Sequence, residues 1–249
     1  MKTQYDNEQD YFLPYHWLIK RNDFYNGGVE YFGYLEIIKR IIFDKFKNRR
    51  GYHLDIGCGD GKALDFIVSN TNLKSTGIDL SNRAVNFAKM MCRSKVHTFR
   101  VQNLFEIEDK YDLITAIEVL EHIEKDELNL FVRKISMLLD TYGYFICSVP
   151  SHNFPKVHPG HVQHFSSSSL KKVLLKNGFN NVEMIFQHNM KYDFRFTKNK
   201  LWKAIFKLLK NKYFTITIFE KYLCNKYFQK WNIVKSEREA GRLICIAQK

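Results

Sequence analysis

The 249-residue chain carries 39 Lys and Arg against 26 Asp and Glu, a formal net charge of +13, with 45% apolar and 15% aromatic residues. That apolar content is enough to bury a sizeable core and excludes disorder as the main state, while twelve Gly and four Pro exclude collagen-like or low-complexity material. No run approaches the ~18 consecutive apolar residues of a spanning helix, so a soluble protein is expected.

The chain opens on a polar, acidic stretch, Met1 to Asp10, without the basic start and apolar run of an export signal. The five cysteines (Cys58, Cys92, Cys147, Cys224, Cys245) are scattered and never in a Cys-x-x-Cys pair. They read as reduced cysteines of a cytoplasmic protein.

Residues 1–29 form an aromatic, partly irregular arm, followed by an amphipathic helix marked by Tyr31, Tyr34, Leu35, Ile38, Ile41 and Ile42. From Arg50, strand-length apolar runs alternate with helix-period segments. The predicted strands are Tyr52–Ile56, Ser75–Leu80, Thr98–Val101, Tyr111–Ile117, Gly143–Val149, Asn181–Phe186 and Arg242–Ala247; the helices between them are Ala63–Ser69, Asn82–Met91 and Glu127–Leu139. Such alternation predicts an α/β fold, a doubly wound, seven-stranded, mostly parallel sheet with helices on both faces. No repeat or linker divides the chain, so one domain spans 1–249: arm and helix at 1–49, core at 50–188, a basic aromatic insert at 189–238 and a last strand at 239–249.

Leu54–Ile67 reads LDIGCGDGKALDFI, an apolar strand, three alternate glycines and a helix. Gly57, Gly59 and Gly61 free the backbone to turn and let a ligand lie against it, and the following helix offers unpaired N–H groups. The spacing is neither the G-x-G-x-x-G of a pyrophosphate cradle nor a P-loop. Asp79, 22 residues beyond Gly57 and followed by Leu80, ends the next strand. Its carboxylate suits a ribose diol, or alternatively the N-terminus of the helix starting at Ser81.

These features strongly resemble the class I S-adenosylmethionine-dependent methyltransferases. D-x-G-x-G-x-G is complete as Asp55-Ile56-Gly57-Cys58-Gly59-Asp60-Gly61, Asp79 matches the ribose-binding acid, and YDLITAIEVLEHI (111–123) and MLLDTYGYFICSVP (137–150) resemble the motifs that follow. Tyr142 stands where the family often has Pro. The resemblance, over about 30–188 and 239–249, implies S-adenosylmethionine as cofactor. It places Asp55, Gly57 and Gly59, with Cys58 and Gly61 in the same loop, at the methionine moiety and Asp79 with Leu80 at the ribose. Where the family has an acid near the adenine this chain has Gln102-Asn103-Leu104, and Asn103 takes that place. Glu118 faces the cofactor or a water, or else serves as a helix-terminal charge.

For the acceptor, the distinctive stretch is SVPSHNFPKVHPGHVQHFS (148–166), with His152, His158, His161 and His164 within thirteen residues beyond the fifth strand. In this fold that loop lies over the cofactor's methyl group, where imidazoles suit general base work or gripping an anion. His161, His164 and His122 are the candidate bases and His158 a substrate contact; capping the next helix is the alternative for any one of them. Metal binding is disfavoured, because Pro159-Gly160 breaks helical spacing and no acid or Cys is near in sequence. H-x-x-H-F-S followed by Asn-Gly-Phe (177–179) resembles bacterial ubiquinone-type and surface-polysaccharide methyltransferases, with Gln163 where Arg is common. The stretch Tyr11–Trp17 is either a lid contributing Tyr15 or His16 to substrate, or a packed strap.

The fourth-strand motif lacks the Pro-Pro-aromatic signature of amino-group methylation of nucleic acids, and Cys147 lies inside a strand, which argues against a covalent cytosine mechanism. Residues 195–235 hold eleven Lys and Arg against Glu220 alone, +10 of the +13. Lys200, Lys203, Lys207 and Lys210 flank an apolar face there, a pattern suited to a solvated helix, to an anionic membrane surface through 198–235, to RNA, or to a phosphorylated substrate. The leading expectation is a cytoplasmic O-methyltransferase, with peripheral contact at the inner membrane surface. Its expected acceptor is a small anionic molecule: a sugar, nucleotide-linked sugar, phosphate or phosphoramidate precursor of a surface polysaccharide. Rival readings are an RNA methyltransferase, disfavoured for want of an RNA-binding appendage, a quinone-precursor methyltransferase at the membrane, and a non-catalytic binding protein.

Overall fold

A computed structural model of the chain describes residues 11–21, 28–92, 94, 96–153, 160–188 and 232–249. The strands are β1 (Arg50–Ile56), β2 (Asn72–Asp79), β3 (Thr98–Val101), β4 (Tyr111–Ile117), β5 (Leu139–Pro150), β6 (Asn181–His188), β7 (Ile233–Val234) and β8 (Ala240–Gln248). They form one sheet in the order β3-β2-β1-β4-β5-β8-β6-β7. The five strands from β3 to β5 are mutually parallel, β8 runs antiparallel between β5 and β6, and β7 pairs antiparallel with β6. The doubly wound α/β expectation holds, with eight strands rather than seven. The additional strand is two residues long and falls in the segment assigned to the insert. His158 and most of the basic segment, 198–231, lie outside the described residues.

The helices are α1 (Tyr15–Leu18), α2 (Gly28–Phe46), α3 (Lys62–Ile67), α4 (Asn82–Met91), α5 (Leu128–Leu138) and α6 (Ser167–Lys176). Side chains of a strand alternate faces, and β8 shows both. Leu243, Cys245 and Ala247 join α5 and α6 in one apolar core, while Ile244 and Ile246 join α2, α3 and α4 in the other. Sequence signals set the helix ends. Ser81 caps α4 by accepting from the Ala84 N–H at 3.1 Å, and Ser166 with Ser169 makes a capping box at α6. Four cysteines are described as free thiols, three of them buried. Among the described residues no helix is long and apolar enough to cross a membrane.

Candidate active site

The carboxyl ends of β1, β2 and β4 open together at one edge of the sheet, the usual ligand position in open α/β folds. A cavity of about 490 Å³ lies there, and the arm, the glycine loop, the turn after β4, and His161 all line it.

The glycine loop leaves β1 at Gly57, whose φ of +68° and lack of Cβ are both required: a Cβ would stand 2.6 Å from Val119 Cγ2. Gly57, Cys58 and Gly59 line the cavity as expected. Gly61 does not. It caps α3, and a Cβ there would meet Cys92 Sγ at 2.7 Å and Ala88 Cβ at 2.9 Å, so its smallness serves the packing of the α3 start on α4. Asp79, with Leu80 beside it, lines the cavity next to the loop. Its carboxylate accepts the Gly59 N–H and the Ser81 N–H, both at 2.9 Å, so it ties the loop to the end of β2 while facing the cavity. The helix-capping alternative belongs to Ser81.

Asp55 is 2% exposed and sits at the end of a buried relay. Thr115 Oγ1 donates to Asp55 Oδ1 at 2.5 Å, and His53 Nε2 is 2.7 Å from the same hydroxyl. His53 Nδ1 is 3.0 Å from Ser75 Oγ. Since Thr115 spends its one proton on Asp55, His53 donates from Nε2 and accepts from Ser75. Burial pulls His53 down to about 3, so it is neutral, with His97 adding a smaller push. Burial also pushes Asp55 up to about 7, with the Thr115 bond opposing and the Asp79 charge adding.

Glu118 has φ +57°, the one positive value outside glycine among the described residues. Ser148 Oγ donates to Glu118 Oε1 at 2.7 Å and Arg242 Nη2 donates to Oε2 at 2.8 Å. Arg242 also lies 4.2 Å over the Tyr34 ring and 3.7 Å from Glu30. Sequence reasoning missed Arg242, although a single charge inside the apolar run Leu243–Ala247 and its flank was a usable signal. It missed Tyr11, Tyr31 and Tyr34 as cavity walls too. After β3 the side chains of Asn103 and Gln102 differ in their contacts. The Asn103 side chain accepts from the Phe105 N–H at 3.0 Å, capping a short 3-10 turn, while the neighbouring Gln102 lines the cavity with a buried Oε1 that accepts from no described residue.

The arm packs over the glycine loop. His16 bonds Asp60 twice, through its peptide N–H and through Nδ1, both at 3.1 Å, and Trp17 Nε1 donates to the Asp60 carbonyl at 2.8 Å. Lys62 sits 4.1 Å over the Trp17 ring. Tyr15 and His16 therefore reach the cavity, and lid and strap coincide: the segment that packs is the segment that covers.

On the far wall His122 and His161 meet edge to face, ring centroids 4.9 Å apart. His122 Nδ1 is 3.1 Å from the Gly160 carbonyl, and His161 Nδ1 is 3.1 Å from His164 Nε2. His164 does not line the cavity; it stands behind His161. The loop is strapped to the turn after β4 by Val162 N–H donating to the Glu121 carbonyl (2.9 Å) and by the buried Gln163 amide donating to the Ile123 carbonyl (2.7 Å). Gln163, where the resembled pattern has Arg, is thus a structural clamp.

The chain matches the methyltransferase domain family over residues 29–184 and belongs to it. Its fold is that of the class I enzymes, whose cofactor is S-adenosylmethionine. A S-adenosylmethionine-dependent methyltransferase from Archaeoglobus fulgidus superposes with a TM-score of 0.57 at 18% identity, covering 91% of this chain and 100% of that one. The N-methyltransferase NodS from Bradyrhizobium japonicum, in complex with S-adenosylhomocysteine, gives a TM-score of 0.55 at 13% identity, covering 87% and 85%. The cyclopropane-fatty-acyl-phospholipid synthase of Escherichia coli K12 is 24% identical over 108 residues, 43% of this chain. The match spans 28% of that enzyme's length. The residues fit the cofactor: a Cβ-free turn at Gly57, two carboxylates, Asp55 and Asp79, on adjoining walls, and a cavity of suitable size.

Proposed function

We propose that the chain is an O-methyltransferase that transfers the methyl group of S-adenosylmethionine to a small anionic acceptor. The acceptor we favour is a sugar, nucleotide-linked sugar, or phosphate- or phosphoramidate-bearing precursor of a bacterial surface polysaccharide. The observation that carries this reading is the His161–His164 pair, an imidazole on the cavity wall backed by a second at 3.1 Å. The cofactor supplies a methyl carbon activated by its sulfonium. Asp55 would hold its amino group and Asp79 its ribose. His161 takes the acceptor's hydroxyl proton and passes charge towards His164. From a sugar hydroxyl the freed oxygen pair would form the new C–O bond as the C–S pair returns to sulfur, giving a methyl ether and a neutral thioether; a phosphate oxygen, already anionic, would give a methyl ester without needing the base. The net charge of +13 supports an anionic acceptor.

A second reading, a lipid acceptor, is favoured by the similarity to a synthase that by its name acts on fatty-acyl phospholipid. Incubating the protein with radiolabelled S-adenosylmethionine and fractionated bacterial extract separates the two. Label is expected in soluble sugar nucleotides or glycan precursors. Label in extracted lipid favours the second reading, and label in nucleic acid overturns both.

A further inference from the structure

Glu121 follows β4 by four residues and is fully buried, 0% exposed, in the turn Leu120–His122. It lines the cavity, yet neither carboxylate oxygen accepts a hydrogen bond from another described residue. An isolated carboxylate there is costly, and a protonated one would still leave its O–H without an acceptor residue. Two imidazoles, His122 and His161, stand beside it, and its charged neighbours are Glu118 and Arg242. One donor atom each from Glu121, His122 and His161 lie within 4.8 Å of one another. In a closed tetrahedral zinc site the ligand atoms stand roughly 3.3 Å apart, so side-chain rotations on the order of an ångström close the set.

We propose that Glu121, His122 and His161 bind one divalent transition-metal cation, zinc or a close relative, whose open position faces the acceptor. The donor set is two imidazoles and one carboxylate, three protein ligands with a vacancy towards the cavity, the composition of catalytic rather than closed structural zinc sites. The second layer agrees. A ligating histidine is held by a bond from its other ring nitrogen, and here His122 Nδ1 meets the Gly160 carbonyl and His161 Nδ1 meets His164. Both rings thus present Nε2 as the ligating atom. The segment 160–163 is fastened to the turn that carries Glu121, so the ligands from two distant parts of the chain are held in one unit. The sequence argument against metal looked for an acid near the histidine loop; the acid comes from the turn after β4 instead.

The inference rests on the reading that this cavity receives the acceptor, but not on which acceptor it is. A cation there would polarise the acceptor's oxygen as a Lewis acid, so that a hydroxyl proton is lost to solvent water; with the cation bound His161 serves as a ligand, and the proton transfer to His161 given above would belong to the metal-free protein. The cation gains and loses no electron.

The test uses untagged full-length protein, stripped with chelator and titrated with Co²⁺ as a spectroscopic probe. Binding of about one equivalent is expected, with the visible absorption of a low-coordinate cobalt site, displaced by Zn²⁺. Glu121→Gln and His161→Ala should each weaken binding by more than about tenfold, and His164→Ala by about 10- to 100-fold through loss of orientation. Calorimetric binding of S-adenosylmethionine by each variant reports that the fold and cavity persist. Absence of cobalt binding, or binding that the Glu121→Gln and His161→Ala variants retain, overturns the metal site. If cobalt binds at these residues while the methylated product is not an ether or ester of oxygen, the O-methyltransferase reading fails and the metal site stands. If no cobalt binds while His161→Ala abolishes oxygen methylation, the reverse holds.

Discussion

Arg242 and Glu118, 124 residues apart in sequence, meet through a 2.8 Å charge-assisted hydrogen bond at the edge of the cavity. The pair joins β8 to the residue that leaves β4 in a left-handed conformation, and Ser148 on the intervening β5 completes the contact. The strained backbone at Glu118 is thereby held by partners on two neighbouring strands.

Glu118→Gln keeps the shape of that junction but removes the charge that matches Arg242, whose side chain is 16% exposed and has Glu30 as its other carboxylate at 3.7 Å. Breaking one side of a largely buried pair should lower unfolding free energy by about 3 kcal/mol. Adding Arg242→Met should recover part of the loss. Urea denaturation of the single and double variants measures both, and strict additivity would dissociate the two residues.

Asp79→Ala should raise the dissociation constant for S-adenosylmethionine by at least about tenfold, since each charge-assisted bond to the ribose contributes roughly 1.5–3 kcal/mol. Because the same carboxylate holds Gly59 N–H and Ser81 N–H, some stability should be lost as well. Isothermal calorimetry and thermal melting report the two effects separately, and unchanged cofactor affinity would remove Asp79 from the site.

Asp55, pushed up to about 7 by burial, takes up a proton as pH falls through neutrality. If the ionised form receives the cofactor's ammonium, affinity should drop as pH is lowered from about 8 to about 6. In Asp55→Asn, binding should be weak and nearly flat over the same range. A wild-type affinity that does not vary with pH contradicts the contact.

His53 is held neutral, its pKa lowered to about 3, whereas in the unfolded chain it titrates near the ordinary histidine value of 6.5. Between these values the unfolded state binds more protons, so the native-state contribution of His53 is full above about 6.5 and is lost as pH falls towards 3. His53→Phe should therefore be destabilised at pH 7, where Ser75 and Thr115 lose their partner, and less so at pH 5. The gap from wild type should narrow by up to about 1.4 kcal/mol per pH unit. A gap that stays constant with pH would mean that His53 titrates in the folded protein as it does in the unfolded chain.

Asp60→Ala should detach the arm. It removes the carboxylate that receives the His16 peptide N–H and Nδ1, at about 0.5–1.5 kcal/mol per bond. Trp17, packed against Lys62, should shift its fluorescence to the red, and turnover should fall more than cofactor affinity if the arm covers the acceptor. An unchanged emission spectrum would show that the arm is fixed by its aromatic stack alone.

The core elements were legible because period-2 and period-3.6 patterning survive in a sheet covered on both faces, as in β1 and α5. The glycine motif named its own cavity: Gly57, Gly59 and Asp79 needed only short-range reasoning along one crossover. What escaped was contact between elements distant in sequence. Glu121 drew no reading of its own because the loop at 160–163 that folds onto it is distant in sequence, and Arg242 was hidden at the start of an apolar strand. That Gln102 lines the cavity while Asn103 caps the next turn was not legible, because side-chain direction at a strand end is set by the turn that follows. Gly61 was read as ligand-facing since motif spacing does not distinguish a glycine kept for a ligand from one kept for a helix neighbour.

The sheet order also sets a sequence of assembly. Among the described residues β6 pairs only with β8 and β7, and β8 must slot between β5 and β6 after about fifty intervening residues have been made. On the ribosome, β6 therefore waits with both edges unpaired while the parallel half of the sheet and its glycine loop are already complete. A nascent chain at that stage would carry the cofactor-binding loop without Arg242, leaving Glu118 unmatched in its strained conformation. Long-range strand insertion of this kind is slow, which makes the interval before β8 docks the stage most exposed to edge-to-edge association.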